Sequence, residues 1–330
     1  MRYFSTFSGA GGFELGIEYA MDVSNSKRNK QERVGTQQSF TCVGFSEIDK
    51  YASAVLKYHY PNIKNYGDIK KIDWSEVPDF DLLVGGSPCQ DLSVAGKRKG
   101  LSGERSGLFA EFVRALQEKK PKHFVWENVK GALSSNQGWD FTEVQAQMAE
   151  AGYFLWWQVL NAKDFGVPQN RERVFVIGTR GEGGREVFFE RGGDTKNLEE
   201  ITQGVSDAQR IYDPEGIAKS QKALGGGLGA KTGLYAVRQP LRYLNRNQKN
   251  IEGDYAFCVD ASQTSGVRTA DRVRRLTPKE CERLMSWPDN WTRWGILDDE
   301  KREMSDTQRY KMCGNGVVSE VVKHIVLSIL

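Results

Sequence analysis

The sequence predicts an α/β fold, with a doubly wound, mainly parallel sheet and a smaller irregular domain. Over the first 180 residues, apolar segments of strand length alternate with amphipathic segments of helical period. Such alternation favours parallel strands, because each parallel pair needs a crossover connection and that connection is usually a helix. From about residue 181, glycine- and charge-rich sequence replaces this alternation, which indicates a second domain.

The elements are predicted in chain order. A strand at 3–7 leads through a glycine-rich turn into an amphipathic helix at 13–21, and a Lys/Arg-rich stretch at 24–38 is expected to be an exposed insertion. Further strands are expected at 41–45, 80–84, 123–126, 153–160 and 173–178. Helices are expected at 107–119, 141–151, 278–285 and 316–330. The last of these is apolar and is expected to pack back onto the sheet.

Composition excludes several classes of protein. With 39% hydrophobic and 27% charged residues, the 330-residue chain has ordinary globular usage. No stretch approaches the roughly 18–20 uninterrupted apolar residues of a membrane span, so a soluble, cytoplasmic protein with no membrane partner is expected. The five cysteines are far apart, without a C-x-x-C pair, and there are only three histidines. A disulfide framework and a metal site are therefore both disfavoured.

The first candidate motif is FSGAGGFELG, residues 7–16, where the first strand meets the first helix. Glycines here allow a ligand to approach the backbone closely, and Glu47 ends the second strand, where nucleotide-binding folds place a carboxylate on ribose hydroxyls. These features predict an adenosine-containing cofactor. A tight turn that only packs helix on sheet is the alternative. The G-x-G-x-x-G spacing and the P-loop are both missing, which disfavours nucleotide hydrolysis.

Cys89 is the candidate nucleophile. It lies in GGSPCQ, residues 85–90, directly after an apolar strand, at the edge where open α/β sheets bind ligands. The following Lys97, Arg98 and Lys99 would favour its thiolate, although a cysteine is more commonly a small buried apolar residue. Glu127 ends the next strand and could reach the same site as an acid, or could simply favour a helix N-terminus.

Two arginines lie on alternate positions at the start of a later strand. Arg171 and Arg173 belong to QNRER, residues 169–173. Guanidinium groups arranged in this way suit a phosphate or a carbonyl oxygen, although a solvated charge pattern on an edge strand is the ordinary explanation.

Taken in order, these segments resemble the DNA cytosine-5 methyltransferase family, in its bacterial or phage form, over almost the whole chain. FSGAGGFELG resembles the family's S-adenosylmethionine loop, and residues 85–101 resemble its Pro-Cys-Gln loop. Five further motifs follow in the family's order: GDI (67–69), ENV (127–129), QNRER (169–173), RRLTPKECERLMSWP (274–288) and GNGVV (314–318). The resemblance implies a Rossmann-like methyltransferase fold, with a catalytic domain at 1–180 plus about 305–330 and a target-recognition domain at about 181–304.

The resemblance also implies the roles of individual residues. Cys89 would add to carbon-6 of a flipped-out cytosine, Glu127 would bind or protonate N3, Arg173 would donate to O2, and Arg171 would lie closer to the backbone. The cofactor S-adenosylmethionine would contact Phe7, Ser8, Gly9, Gly11, Gly12, Phe13, Glu47, Ile48, Asp68, Ile69 and Asn315. Double-stranded DNA would contact Gln90, Ser93, Lys97, Arg98, Gln169, Arg210, Gly226 and Lys231.

Some alternatives stay open. Residues 210–235 resemble recognition segments that read GCGC, but Ser220 and Gln221 replace the usual Thr-Leu, and the target sequence stays undetermined. Methylation of RNA, a binding-only relative and a dinucleotide oxidoreductase are the rival functions. The recognition domain disfavours RNA methylation. A binding-only role is disfavoured by the intact Cys89, Glu127, Arg171 and Arg173, and an oxidoreductase by the missing phosphate fingerprint. The protein is expected to be a monomer. It is expected either to belong to a restriction-modification system with a cognate endonuclease, or to be a solitary or phage-borne methyltransferase.

Overall fold

The structure is a computed structural model that describes residues 1–31, 39–88, 107–181, 211–212, 218–219, 234–235, 241–245, 248–253 and 276–329. Several residues predicted to take part in function lie outside the described residues: Cys89, Gln90, Ser93, Lys97, Arg98, Arg210, Gly226 and Lys231.

A six-stranded sheet forms the centre of the molecule. In chain order its strands are β1 (Arg2–Thr6), β2 (Thr41–Ser46), β3 (Leu82–Gly85), β4 (His123–Val129), β5 (Tyr153–Asn161) and, after the two-residue β6 (Gln169–Asn170), β7 (Glu172–Arg180). Their spatial order is β2-β1-β3-β4-β7-β5. The first four pair in parallel, whereas β7 runs antiparallel to both β4 and β5. The predicted mainly parallel α/β sheet is confirmed, with one reversed strand inserted near its edge.

Five short strands are described between Gly181 and Leu276. They are β8 (Ile211–Tyr212), β9 (Ala218–Lys219), β10 (Leu234–Tyr235), β11 (Leu241–Asn245) and β12 (Gln248–Gly253). One of them reaches the main body of the protein, because β9 pairs in parallel with β6. A hairpin of β13 (Trp294–Leu297) and β14 (Glu300–Glu303) follows later in the chain.

Helices cover both faces of the sheet. They are α1 (Gly12–Gln31), α2 (Lys50–His59), α3 (Gly107–Lys119), α4 (Trp139–Glu150), α5 (Pro278–Leu284), α6 (Asp306–Asn315) and α7 (Ser319–Ile329). Alternate residues of each strand enter two separate cores: Leu82 and Val84 pack with α1 and α7, while Leu83 packs with α3 and α4. This period of two explains why β3 is apolar throughout. Helix α1 also continues into the segment that was predicted to be an insertion.

Residues 276–304 pack on the helices that cover the central sheet. Cys281, Met285 and Trp287 lie in the same buried cluster as α1 and α7, and the Gln169 side chain bonds to the end of α5. The domain boundary predicted near residue 304 stays a prediction. The packing of α5 with α1 and α7 is a contact between distant segments, which a sequence pattern of short elements does not show.

The C-terminal helices form the one described stretch that could cross a membrane on length and composition alone, Asp306–Ile329. Half of it is buried inside the molecule, and a break at Gly316 separates α6 from α7. Core helices of soluble proteins meet the same criterion, so this stretch is weak evidence for a membrane segment.

Candidate active site

A cavity of about 380 Å³ opens at the carboxyl ends of the parallel strands. Open α/β sheets bind their ligands at this edge. Because β7 runs antiparallel, its amino end reaches the same edge and brings two arginines to it. The residues of the sequence prediction that line the cavity are Phe7, Gly9, Glu47, Ile48, Asp68, Ile69, Glu127, Arg171, Arg173 and Asn315.

The glycine-rich turn after β1 supplies one wall. Phe7 and Gly9 both have positive φ, 53° and 57°, so the chain bends sharply before α1 begins. The bend directs the Gly9 N–H to Oε2 of Glu47, 2.8 Å away. The turn is thereby attached to the end of the neighbouring strand β2.

Glu47 and Ile48 form the adjoining wall. Both carboxylate oxygens of Glu47 accept backbone N–H groups, from Gly9 and from Asp49 at 2.7 Å. Burial raises the pKa of this carboxyl, although these hydrogen bonds oppose the effect. The Ile48 side chain is 73% exposed and borders the cavity. An exposed apolar side chain beside a held carboxylate suits a ligand with one flat apolar part and adjacent hydroxyl groups.

Four residues predicted to contact the cofactor do not line the cavity: Ser8, Gly11, Gly12 and Phe13. The Ser8 hydroxyl is buried and donates toward the Ser5 carbonyl and hydroxyl oxygens, at 3.1 and 2.9 Å. Phe13 belongs to the hydrophobic core. A Cβ on Gly12 would lie 2.7 Å from the Val317 carbonyl oxygen. These residues pack α1 against the molecule and hold the turn from behind.

A buried ion pair forms the opposite side of the cavity. Arg173 Nε lies 3.1 Å from Glu127 Oε1, and the two side chains are 17% and 14% exposed. Burial raises the pKa of Glu127, and the charges of Arg173 and Arg171 partly oppose that shift. Burial likewise lowers the pKa of the Arg173 guanidinium. The site thus holds an acid with an increased tendency to keep its proton, beside a donor of N–H groups.

Arg171 connects this side to the C-terminal motif. Its Nη2 donates to the carbonyl oxygens of Gly316 and Gly314, at 2.6 and 3.1 Å. Its backbone N–H donates to Asn161 Oδ1 at 3.0 Å. Burial, and then the neighbouring Arg173, lower its pKa to about 9. Gly314 and Gly316 flank Asn315, which lines the cavity.

Side chains of β4 hold Ser87, two residues before Cys89. Trp126 Nε1 donates to Ser87 Oγ at 3.1 Å, and Asn128 Nδ2 donates to the Ser87 carbonyl oxygen at 3.3 Å. A Cβ on Gly86 would lie 2.8 Å from Glu127 Oε2, so any other residue at this position would require the carboxylate to move. Sequence reasoning missed Trp126 and Asn128 as supports, although both are direct sequence neighbours of Glu127.

Two further residues occupy unexpected positions. Gln169, predicted to contact DNA, is 0% exposed, and its Nε2 donates to the Leu284 carbonyl oxygen at 2.6 Å. Its side chain therefore joins β6 to α5, and the predicted DNA contact is not supported. Lys311 lines the cavity unpredicted, with Nζ 2.6 Å from Asp49 Oδ2. It lies one helical turn before Asn315 on α6, a spacing that could have indicated it.

Comparison with known proteins identifies the family. The family model for C-5 cytosine-specific DNA methylase matches residues 1–330. The type II methyltransferase M.HhaI of Haemophilus parahaemolyticus is 30% identical, with 100% of this chain and 94% of that protein covered. The orphan methyltransferase M.SPRI of Bacillus phage SPR is also 30% identical, with 98% and 96% covered.

Solved structures agree on the fold. The methyltransferase EhMeth of Entamoeba histolytica has a TM-score of 0.66 at 16% identity, with 99% of this chain and 96% of that chain covered. The Dnmt2 methyltransferase of S. pombe has a TM-score of 0.63 at 18% identity, with 99% and 97% covered. With the family matched along its full length, this chain belongs to the C-5 cytosine-specific DNA methylases and is a DNA cytosine-5 methyltransferase.

Proposed function

We propose that this enzyme transfers a methyl group from S-adenosylmethionine to carbon-5 of a cytosine that is flipped out of a short duplex DNA sequence, through a covalent bond to Cys89. One observation carries the proposal. A cavity at one edge of the sheet has a carboxylate and an exposed apolar side chain on one side, and the Glu127–Arg173 pair on the other. The strand that leads to Cys89 ends between them.

The first side fits the cofactor. Glu47 is held by two backbone N–H groups and retains acceptor capacity for ribose hydroxyls, while Ile48 and Ile69 offer apolar surface to an adenine ring. Asp68 and Asn315 add polar groups to the lining of the cavity. When bound, S-adenosylmethionine supplies a methyl group that its sulfonium makes electrophilic.

The second side fits a cytosine. Carbon-5 of the base is a poor nucleophile until the Cys89 thiolate forms a bond to carbon-6 and places electron density on the ring. Glu127 would hold a proton at N3 during that addition, which its raised pKa favours, and Arg173 would donate to O2 as charge develops. After methyl transfer, carbon-5 loses its proton, the sulfur–carbon-6 bond breaks, and the thiolate is restored.

The substrate follows from this chemistry. A base cannot be attacked at carbon-6 while it is stacked and paired in a duplex, so the cytosine must leave the helix, which costs a few kcal/mol. Gln90, Ser93, Lys97, Arg98, Arg210, Gly226 and Lys231 remain the predicted DNA contacts. We further propose a cytoplasmic monomer. The relatives include both a type II methyltransferase and an orphan methyltransferase, so this enzyme could belong to a restriction-modification system or act alone. A cognate restriction endonuclease is a partner only in the first case.

The test is base-resolution mapping of 5-methylcytosine on randomised duplex DNA that has been incubated with the enzyme and S-adenosylmethionine. We expect methylation confined to one short motif, which would also identify the target sequence. If duplex DNA stayed unmodified while the enzyme still bound the cofactor, structured RNA would become the substrate to assay next, and the duplex proposal would be wrong.

A further inference from the structure

Asn65 lies behind the cofactor side of the cavity, and all four hydrogen-bonding positions of its side chain are used. Oδ1 accepts the backbone N–H groups of Glu47 and Gly67, at 3.1 and 3.0 Å. Nδ2 donates to the Glu47 carbonyl oxygen at 3.0 Å and to Ser53 Oγ at 3.1 Å. This pattern also sets the orientation of the amide, since Oδ1 meets two N–H donors and Nδ2 meets a carbonyl oxygen.

The segment around Asn65 is attached to the edge strand of the sheet. The Phe45 N–H donates to the Lys64 carbonyl oxygen at 3.0 Å, and the Tyr66 N–H donates to the Phe45 carbonyl oxygen at 2.8 Å. Asn65 thereby forms an isolated parallel bridge beside β2. The end of β2 and the segment that leads to Asp68 therefore lie side by side, before any side chain of the cavity is considered.

Asn65 joins two segments that each contribute residues to the cofactor side of the cavity. Glu47 and Ile48 follow β2, whereas Asp68 and Ile69 follow Gly67, and all four line the cavity. Asn65 itself does not line it. Its side chain bonds to both main-chain groups of Glu47 and to the residue directly before Asp68. A change at Asn65 would therefore reach the cofactor only through the positions of these two segments.

We propose that Asn65 is a positioning residue of the cofactor site, which sets the separation between the Glu47–Ile48 and Gly67–Asp68 segments and so preforms the pocket for the adenosine part of S-adenosylmethionine. This inference rests on the proposed function. Groups already held in the binding geometry lose less conformational entropy when the ligand binds, so preorganisation appears as affinity. Asn65 acts on the affinity for the cofactor, and the chemistry on the cytosine side lies on the other wall of the cavity.

Three variants test the proposal. In Asn65→Ala all four bonds are lost. In Asn65→Asp the shape and the acceptors remain, but both donated bonds are lost and a carboxylate oxygen faces the Glu47 carbonyl. Asn62→Ala is the matched control, because Asn62 is an exposed residue of the same segment whose side chain makes no hydrogen bond with the described residues.

The measurements are the Kd of S-adenosylhomocysteine by calorimetry without DNA, the cofactor KM and kcat of methyl transfer, and the Tm of each variant. For Asn65→Ala we expect the Kd and the KM to rise about tenfold, with kcat at saturating cofactor and the Kd for DNA within twofold of wild type. Asn65→Asp should weaken cofactor binding at least as much. Asn62→Ala should match wild type in Tm, kcat, the cofactor KM and both Kd values.

The outcomes separate the inference from the proposed function. If wild type binds S-adenosylhomocysteine and Asn65→Ala binds it equally well, or loses only Tm or kcat, Asn65 is a structural residue and the inference is wrong. If Asn65→Ala does not fold at the assay temperature, the Kd of the isosteric Asn65→Asp decides in the same way. If wild type itself does not bind S-adenosylhomocysteine, the proposed cofactor falls, and the inference falls with it.

Discussion

Glu127 and Glu14 are both buried carboxyl groups, but only one of them borders the cavity. Burial raises the pKa of each. Glu127 has two arginines that oppose this effect, and it faces open space. Glu14 lies in the first turn of α1, where the Ser5 hydroxyl and its own backbone N–H, rather than positive charges, oppose the effect of burial, and its pKa reaches about 7. Burial alone is therefore not enough for the proposed acid: Glu127 also has counter-charges and a cavity beside it, whereas a buried carboxyl group without them lowers stability.

The largest effect on the rate of methyl transfer is expected for Cys89, the proposed nucleophile that Glu127 would assist. Cys89→Ala should abolish methyl transfer, because alanine has no thiolate to form the bond to carbon-6 that the proposed mechanism requires. The Kd for duplex DNA should stay close to the wild-type value. Transfer of labelled methyl groups and a gel-shift titration would check both expectations. Methyl transfer by Cys89→Ala at the wild-type rate would mean that the nucleophile has been assigned wrongly.

The next effect tests the acid itself. Glu127→Gln should lower kcat by about 10²–10⁴, because the amide cannot supply a proton to N3, while cofactor affinity is retained. In wild type, the rate should fall as rising pH removes the Glu127 proton, and since burial raises the pKa from 4.5, this fall should lie above pH 4.5. The pH profile of kcat should lose that falling limb in the variant. A selective loss of cofactor binding would instead place Glu127 in the cofactor pocket.

A smaller effect tests how tightly Glu127 is placed. In Gly86→Ala the added methyl group would lie 2.8 Å from Glu127 Oε2 and 3.1 Å from its carbonyl oxygen, so the carboxylate must move. We expect kcat to fall by about ten- to a hundredfold, since displacements near 1 Å are costly at reacting groups. The Kd of S-adenosylhomocysteine, measured on the same variant, serves as the internal control and should stay within twofold. An unchanged kcat would show that the position of Glu127 tolerates this movement.

The smallest effect on activity is expected at Glu14. Its folded-state pKa of about 7 exceeds the ordinary value of 4.5, so the folded protein holds this proton more tightly than the unfolded chain does. The resulting stability is fully present below about pH 4.5 and is lost as pH rises to about 7, a loss of about 3 kcal/mol. Glu14→Gln cannot ionise, so its gain in Tm over wild type should be larger at pH 8 than at pH 5, with kcat unchanged.

The exposed Glu76 supplies the control for that experiment. Glu76→Gln should differ from wild type by the same small amount at both pH values. A gain in Tm by Glu14→Gln that did not change between pH 5 and pH 8 would contradict the assignment of a buried, titrating Glu14.

Much of the fold could be predicted, because strands and helices are local patterns. Helix α3 lies where the amphipathic period placed it, and β3 is the apolar run of a strand buried on both faces. The reversal of β7 and its insertion between β4 and β5 could not be read in this way, since strand order depends on contacts between distant segments. The packing of α5 against α1 and α7, which attaches residues 276–304 to the core, could not be read from the sequence for the same reason.

The sequence by itself determined which chemical groups the site contains. Glu47 and Glu127 stand at the ends of parallel strands in recognisable motifs, and these strand ends meet at one edge of the sheet. Arg171 and Arg173 also belong to a recognisable motif, but they reach that edge because β7 is reversed. Only the tertiary structure decided how those groups are held: Asn65 bonds to Glu47 and Gly67, Trp126 supports Ser87, and Arg171 reaches Gly314 and Gly316. The physical reason is that motifs record side chains that act on a ligand, whereas support depends on hydrogen bonds to backbone groups, which every residue carries and no motif identifies.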